Sequence, residues 1–151
     1  TRLYAATGTG GTLAGLVAGH QALEAGPEIV GVAVSRKDEG YEGRCAALAN
    51  ASLAWLGSDV RVTADDFTVD RGYFEPGYEQ PNEAANEAIR LLARTEGLLT
   101  DPVYTGKALA GLLDHIRTGK IRSGETVVFW HTGGATALFA EQAILGNLAD
   151  K

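Results

Sequence analysis

Thr7-Gly8-Thr9-Gly10-Gly11-Thr12 is the stretch that decides the fold, because it follows the apolar run Leu3-Tyr4-Ala5-Ala6 and opens directly into an amphipathic helical pattern over 11–25. A strand that empties through glycines onto a helix leaves several backbone N–H groups unpaired, beside the positive end of the helix dipole. That arrangement is an anion cradle. Glycine lets the backbone approach an oxyanion with no Cβ in the way, and Thr9 and Thr12 add hydroxyl donors at the same rim. The expected guest is a phosphate; the plain alternative is an ordinary tight strand-to-helix turn.

Spacing excludes two common phosphate loops. The dinucleotide fingerprint needs a third glycine where Leu13 stands. The nucleotide-triphosphate loop needs Ser or Thr after its Gly-Lys pair, but Gly106-Lys107 and Gly119-Lys120 are followed by Ala108 and Ile121. A cofactor carrying one phosphate fits the short loop better.

The chain has 151 residues and a formal net charge of −6, with a pI near 5.0. That length is ordinary for one domain with one core, and no basic cluster offers a surface for nucleic acid. No apolar run approaches the roughly 18–20 residues of a membrane span, and no charged segment followed by an apolar stretch marks an export signal. A cytoplasmic setting is therefore expected. The single cysteine, Cys45, lies in a helical pattern among Ala46, Ala47 and Leu48 and reads as a small buried apolar residue. His20, His115 and His131 are scattered without metal-ligand spacing, so no metal site is expected.

Apolar periodicity switches repeatedly between strand and helix types, the mark of a parallel sheet covered by helices. Strands are expected at 3–6, 29–34 and 126–130, and the alternation at 60–63 reads as another. Helices are expected at 11–25, 43–56, 83–94 behind Asn82 as N-cap, 103–117 ended by Gly119, and 135–145. Residues 64–80 show no period but carry Phe67, Tyr73, Phe74 and Tyr78, so they read as a long functional loop. The fold class is α/β, three-layer, with a mostly parallel sheet and helices on both faces. Thr132-Gly133-Gly134 repeats the first glycine device at another strand end, and ligands of open parallel sheets sit at those ends, so both turns should face one crevice.

Four stretches go further: 7–16 (TGTGGTLAGL), 77–83 (GYEQPNE), 93–108 (ARTEGLLTDPVYTGKA) and 131–135 (HTGGA). Together, in order and over nearly the whole chain, they closely resemble the D-cysteine desulfhydrase and 1-aminocyclopropane-1-carboxylate deaminase family. These are pyridoxal-phosphate enzymes of the tryptophan-synthase-β fold type. The match is to the carboxyl-terminal half of that family, whose members carry the Schiff-base lysine and the substrate-carboxylate loop in an amino-terminal half. The resemblance therefore implies that residues 1–151 are the carboxyl-terminal part of such an enzyme, inactive alone, with the amino-terminal half of the parent as partner and a homodimer as the parent's assembly. Lys107 falls where the family has a non-catalytic lysine, and its expected role is structural.

Carried over by residue, the resemblance implies that Gly8, Thr9, Gly10, Gly11 and Thr12 hold the phosphate of pyridoxal 5'-phosphate, and that Thr132 meets the pyridine nitrogen. Tyr78 and Tyr104 are implied to lie over cofactor and a small amino-acid substrate, positioning groups and relaying a proton. Thr105, also assigned to the cofactor, stands where the cyclopropane-opening deaminases have a glutamate. A carboxylate there would hold the ring nitrogen protonated and strengthen the electron sink; a neutral hydroxyl suits β-elimination, in which a good leaving group drains the negative charge. The implied activity is that of a lyase converting D-cysteine to pyruvate, ammonia and sulfide. The alternatives are a cyclopropane deaminase, a cysteate lyase for which Arg2 and Arg71 are the candidate cations, and a non-catalytic phosphate-binding α/β module.

Overall fold

The computed structural model describes residues 1–141. In chain order the elements are β1 (Arg2–Thr7), α1 (Gly11–Leu23), β2 (Glu28–Ala33), α2 (Tyr41–Trp55), a 3-10 turn (Ala64–Asp66), β3 (Thr68–Asp70), α3 (Glu83–Glu96), α4 (Thr105–Arg117), β4 (Val127–Trp130) and α5 (Ala135–Leu138). The strands form one sheet in the order β3-β2-β1-β4, and every pairing is parallel. The part of the last expected helix beyond residue 141 lies outside the described residues.

Strand alternation distributes the core. Tyr4, Ala6, Val30 and Val32 face Ala88 of α3 and Leu109 and Leu112 of α4. The opposite face, through Ile29 and Val69, meets Leu13 and Val17 of α1 and Cys45, Ala49 and Leu53 of α2. The three-layer α/β reading is thus the observed architecture, and β1 is buried along nearly all its length because helices cover both its faces. Gly31 shows how closely α1 approaches: a Cβ there would lie 2.7 Å from Leu13 Cδ2.

One expected strand is replaced. The alternating residues 60–63 pair with no neighbour; instead the Asn50 side chain stands in for one, donating from Nδ2 to the Val62 carbonyl (2.8 Å) and accepting from its N–H (2.9 Å). The strand lies at Thr68–Asp70, inside the stretch read as loop, and pairs with β2. Helix α4 starts at Thr105, two residues later than expected, because Asp101 takes up the preceding N–H groups. At the far edge of the sheet β4 is half-covered, with Val128 37% and Trp130 45% exposed. Among the described residues no helix is long and apolar enough to cross a membrane, and no group of His, Cys, Asp or Glu is arranged to hold a metal.

Candidate active site

At the carboxyl end of β1 the chain turns through Gly8–Thr9 into α1, whose N-cap is Gly10 at φ 102° with neither a capping side chain nor an acid in the first turn. The contrast with α3 is direct: there the Asn82 side chain accepts from the Ala85 N–H at 2.8 Å. The N–H groups opening α1 therefore remain available to a ligand. Gly10 is required twice over, because its φ disfavours a side chain and a Cβ would stand 2.6 Å from Cys45 Sγ. Thr7 anchors the loop from below, its Oγ1 2.6 Å from Tyr41 OH. Burial pushes the ionisation of Tyr41 up to about 12, so the phenol is neutral near pH 7.

A cavity of about 280 Å³ opens over this loop, lined by Thr7, the segment Gly8 to Thr12, Tyr104 and Thr132. Of the second glycine turn, Thr132 reaches this cavity, while Gly134 packs against Asp101. The Tyr104 ring packs on Gly8, where a Cβ would come within 3.1 Å of its Cε1. The hydroxyls of Tyr78 and Tyr104 are hydrogen-bonded, and their rings meet edge to face, 5.8 Å between centroids. The bond to Tyr78 and partial burial raise the ionisation of Tyr104 to about 12, which keeps its proton on the oxygen at neutral pH.

Two buried residues set this geometry. The Asp101 carboxylate accepts from the N–H groups of Val103 (2.8 Å), Tyr104 (2.7 Å) and Thr105 (2.8 Å), and from Thr105 Oγ1 (2.6 Å). It fixes the backbone from which Tyr104 projects. The same carboxylate reaches the second turn: a Cβ on Gly134, at φ 94°, would lie 2.6 Å from Asp101 Oδ1. Lys107, fully buried in α4, donates from Nζ to the carbonyls of Gly77 (2.7 Å) and Phe74 (3.1 Å). It ties the loop that ends in Tyr78 to α4, while burial lowers its pKa. The structural role expected for Lys107 has this concrete form.

Gly8, Thr9, Gly10, Gly11, Thr12, Tyr104 and Thr132 line one cavity, and Tyr78 joins them through Tyr104. Thr105 does not: it is fully buried, and its amide and hydroxyl are both taken by Asp101. Its hydroxyl also lies 3.3 Å from the Gly133 carbonyl of the second turn. The sequence reads Asp101-Pro102 as the start of a helix; that the Asp101 carboxylate gathers three successive N–H groups ahead of α4 is a feature it does not announce.

A parallel sheet with an uncapped glycine loop and a hydrogen-bonded tyrosine pair beside one cavity at its strand ends defines an α/β fold with an open ligand-sized site. The chain belongs to the family of pyridoxal-phosphate dependent enzymes, which it matches over residues 1–133. D-cysteine desulfhydrase of Yersinia enterocolitica serotype O:8 / biotype 1B is 47% identical over 135 residues, which make up 89% of this chain and 40% of that protein. D-cysteine desulfhydrase of Salmonella typhi is 46% identical over the same share of each. A crystal structure described as an ACC deaminase homologue superposes with a TM-score of 0.81 at 34% identity, over 95% of this chain and 43% of that one. The fold is thus the tryptophan-synthase-β-like one. The chain spans about 40% of the length of the curated relatives it matches.

Proposed function

We propose that residues 1–151 form the carboxyl-terminal part of a pyridoxal-phosphate-dependent lyase that, with one water, converts D-cysteine to pyruvate, ammonia and sulfide. The observation that carries this reading is the hydrogen-bonded Tyr78–Tyr104 pair set against the open glycine cradle. The cradle fits pyridoxal 5'-phosphate on its own geometry: the start of α1 has no cap, and a side chain at Gly10 would collide with Cys45. When bound, the cofactor supplies an electron sink for the negative charge that develops at the substrate Cα.

The residues of this chain do the rest. Backbone N–H groups of the first turn of α1, with the Thr9 and Thr12 hydroxyls, hold the phosphate. The Thr132 hydroxyl, on the same cavity, would hold the ring nitrogen. Tyr104 keeps its proton at neutral pH and donates it to the departing sulfur, with Tyr78 replenishing it along the bond they share. Thr105 brings no charge to the cavity, since its hydroxyl goes to Asp101. That favours elimination over ring opening, in keeping with relatives that are desulfhydrases at 46–47% identity. The amino-terminal half of the parent supplies the lysine and the substrate-carboxylate loop, the parent pairs as a homodimer, and residues 1–151 alone are inactive.

The test is turnover by the full-length parent, measured as sulfide and pyruvate release from D-cysteine beside ammonia release from 1-aminocyclopropane-1-carboxylate. Sulfide release should dominate and should be absent with residues 1–151 alone. Faster opening of the cyclopropane would replace the desulfhydrase reading with the deaminase one, and turnover by the isolated chain would end the assignment of the lysine to the missing half.

A further inference from the structure

A second cavity, of about 340 Å³, shares Gly8 and Thr9 with the first and is otherwise lined by Arg36, Lys37, Asp38, Tyr41 and Arg44. Three cations and one carboxylate face it, in a chain whose net charge is −6. Asp38 is spent on Arg44, at 3.0 Å, and Arg36 reaches only Glu75 at 3.9 Å. Lys37 pairs with no carboxylate among the described residues; its Nζ donates to Ser35 Oγ at 2.6 Å. The cations are organised around one ring. Lys37 Nζ sits 5.0 Å and the Arg44 guanidinium 6.0 Å from the centroid of Tyr41, whose hydroxyl supports the cradle through Thr7.

We infer that this cavity is a second oxyanion site, for a phosphate-type anion held by Lys37 and Arg44 beside the one in the glycine cradle. A half-buried ammonium with cationic neighbours and no counter-ion is unfavourable empty, and an anion offsets both desolvation and repulsion. Lys37 is in that position: burial lowers its pKa, opposed in part by Cys45 and aided by Arg44 and Arg71. The site has donors of two kinds, a point charge from Lys37 and the arm of the Arg44 guanidinium that does not hold Asp38, suited to a tetrahedral oxyanion. The two sites share the Gly8-Thr9 wall, so a ligand with two anionic groups could meet both.

The experiment is a titration of the isotope-labelled chain with inorganic phosphate, followed by backbone amide resonances against chloride at equal ionic strength. Two binding curves are expected, one reported by residues 9–12 and one by residues 36–44. Lys37→Gln should weaken the second by about tenfold or more, the loss of a charged hydrogen-bond donor, while leaving the first within twofold. Lys37→Arg should restore it, and an otherwise unchanged spectrum shows that the fold persists. The inference is overturned if residues 36–44 do not respond to phosphate, if Lys37→Gln leaves their curve unmoved, or if both groups follow one curve that falls together. A response at 36–44 with none at 9–12 would instead defeat the cradle reading and leave this site standing.

Discussion

Tyr104 has its phenol bonded to another phenol, with its ionisation near 12. The bond to Tyr78 is the larger cause, so Tyr78→Phe should bring the Tyr104 ionisation down toward the ordinary value of 10.0. Spectrophotometric titration of tyrosinate in Tyr78→Phe and wild type checks this, and an unmoved Tyr104 transition would show that burial alone sets it. Tyr41 makes a different prediction. Its ionisation is raised from 10.0 to about 12 in the fold, so its contribution is complete below pH 10, where the phenol is neutral in both states. It is lost as pH rises through about 12, because the unfolded chain ionises first. Tyr41→Phe should therefore flatten the fall in stability between those values, while costing about 1 kcal/mol at pH 7 through the lost bond to Thr7. Urea midpoints at pH 9 and 11 measure both effects.

Between elements, the site depends on two buried polar groups in α4 and the turn before it, and Lys107 is the more exposing test. Lys107→Met keeps the apolar stem but removes both donors to the 74–77 loop. Amide hydrogen exchange over residues 73–80 should quicken by about tenfold or more, as expected for losing two bonds of roughly 1 kcal/mol each. Unchanged exchange would mean that Asn82, which donates to the Tyr73 and Glu75 carbonyls, holds the loop unaided. The same elements show what could be read from sequence. The glycine loop, the Asn82 cap and the buried run of β2 announce themselves by local chemistry, and the structure has them where they were expected. The three-residue β3 does not, because Thr68-Val69-Asp70 carries no pattern and becomes a strand only by pairing with β2. Residues 60–63 carry the pattern without the strand, since Asn50 satisfies Val62 instead. The four motifs brought the site residues onto the page, but the burial of Thr105 and the reach of Lys107 to Phe74 and Gly77 are tertiary facts.

At the scale of the molecule, β4 is an edge of the sheet among the described residues. It is apolar at every position, Val127 to Trp130, yet its outer residues remain exposed, and an edge of that kind without charge or proline invites further pairing. Residues 1–151 in isolation should therefore self-associate as concentration rises, and Trp130→Lys should reduce this by placing a charge on the edge. Sedimentation velocity over a hundredfold concentration range reads the difference; an ideal monomer throughout would show that the edge is protected. The pairing of β1 has a consequence in time as well as in space. Its first neighbour, β2, follows within one helix, but its second, β4, joins through Arg2↔Val127 and Ala5↔Trp130 from the far end of the chain. The strand that carries the cradle thus gains its second partner only after the intervening residues 8–126 have been made. Until Val127 is made, Leu3, Tyr4 and Ala5 lack their second partner strand, and this long-range closure is a slow and vulnerable step in forming the sheet.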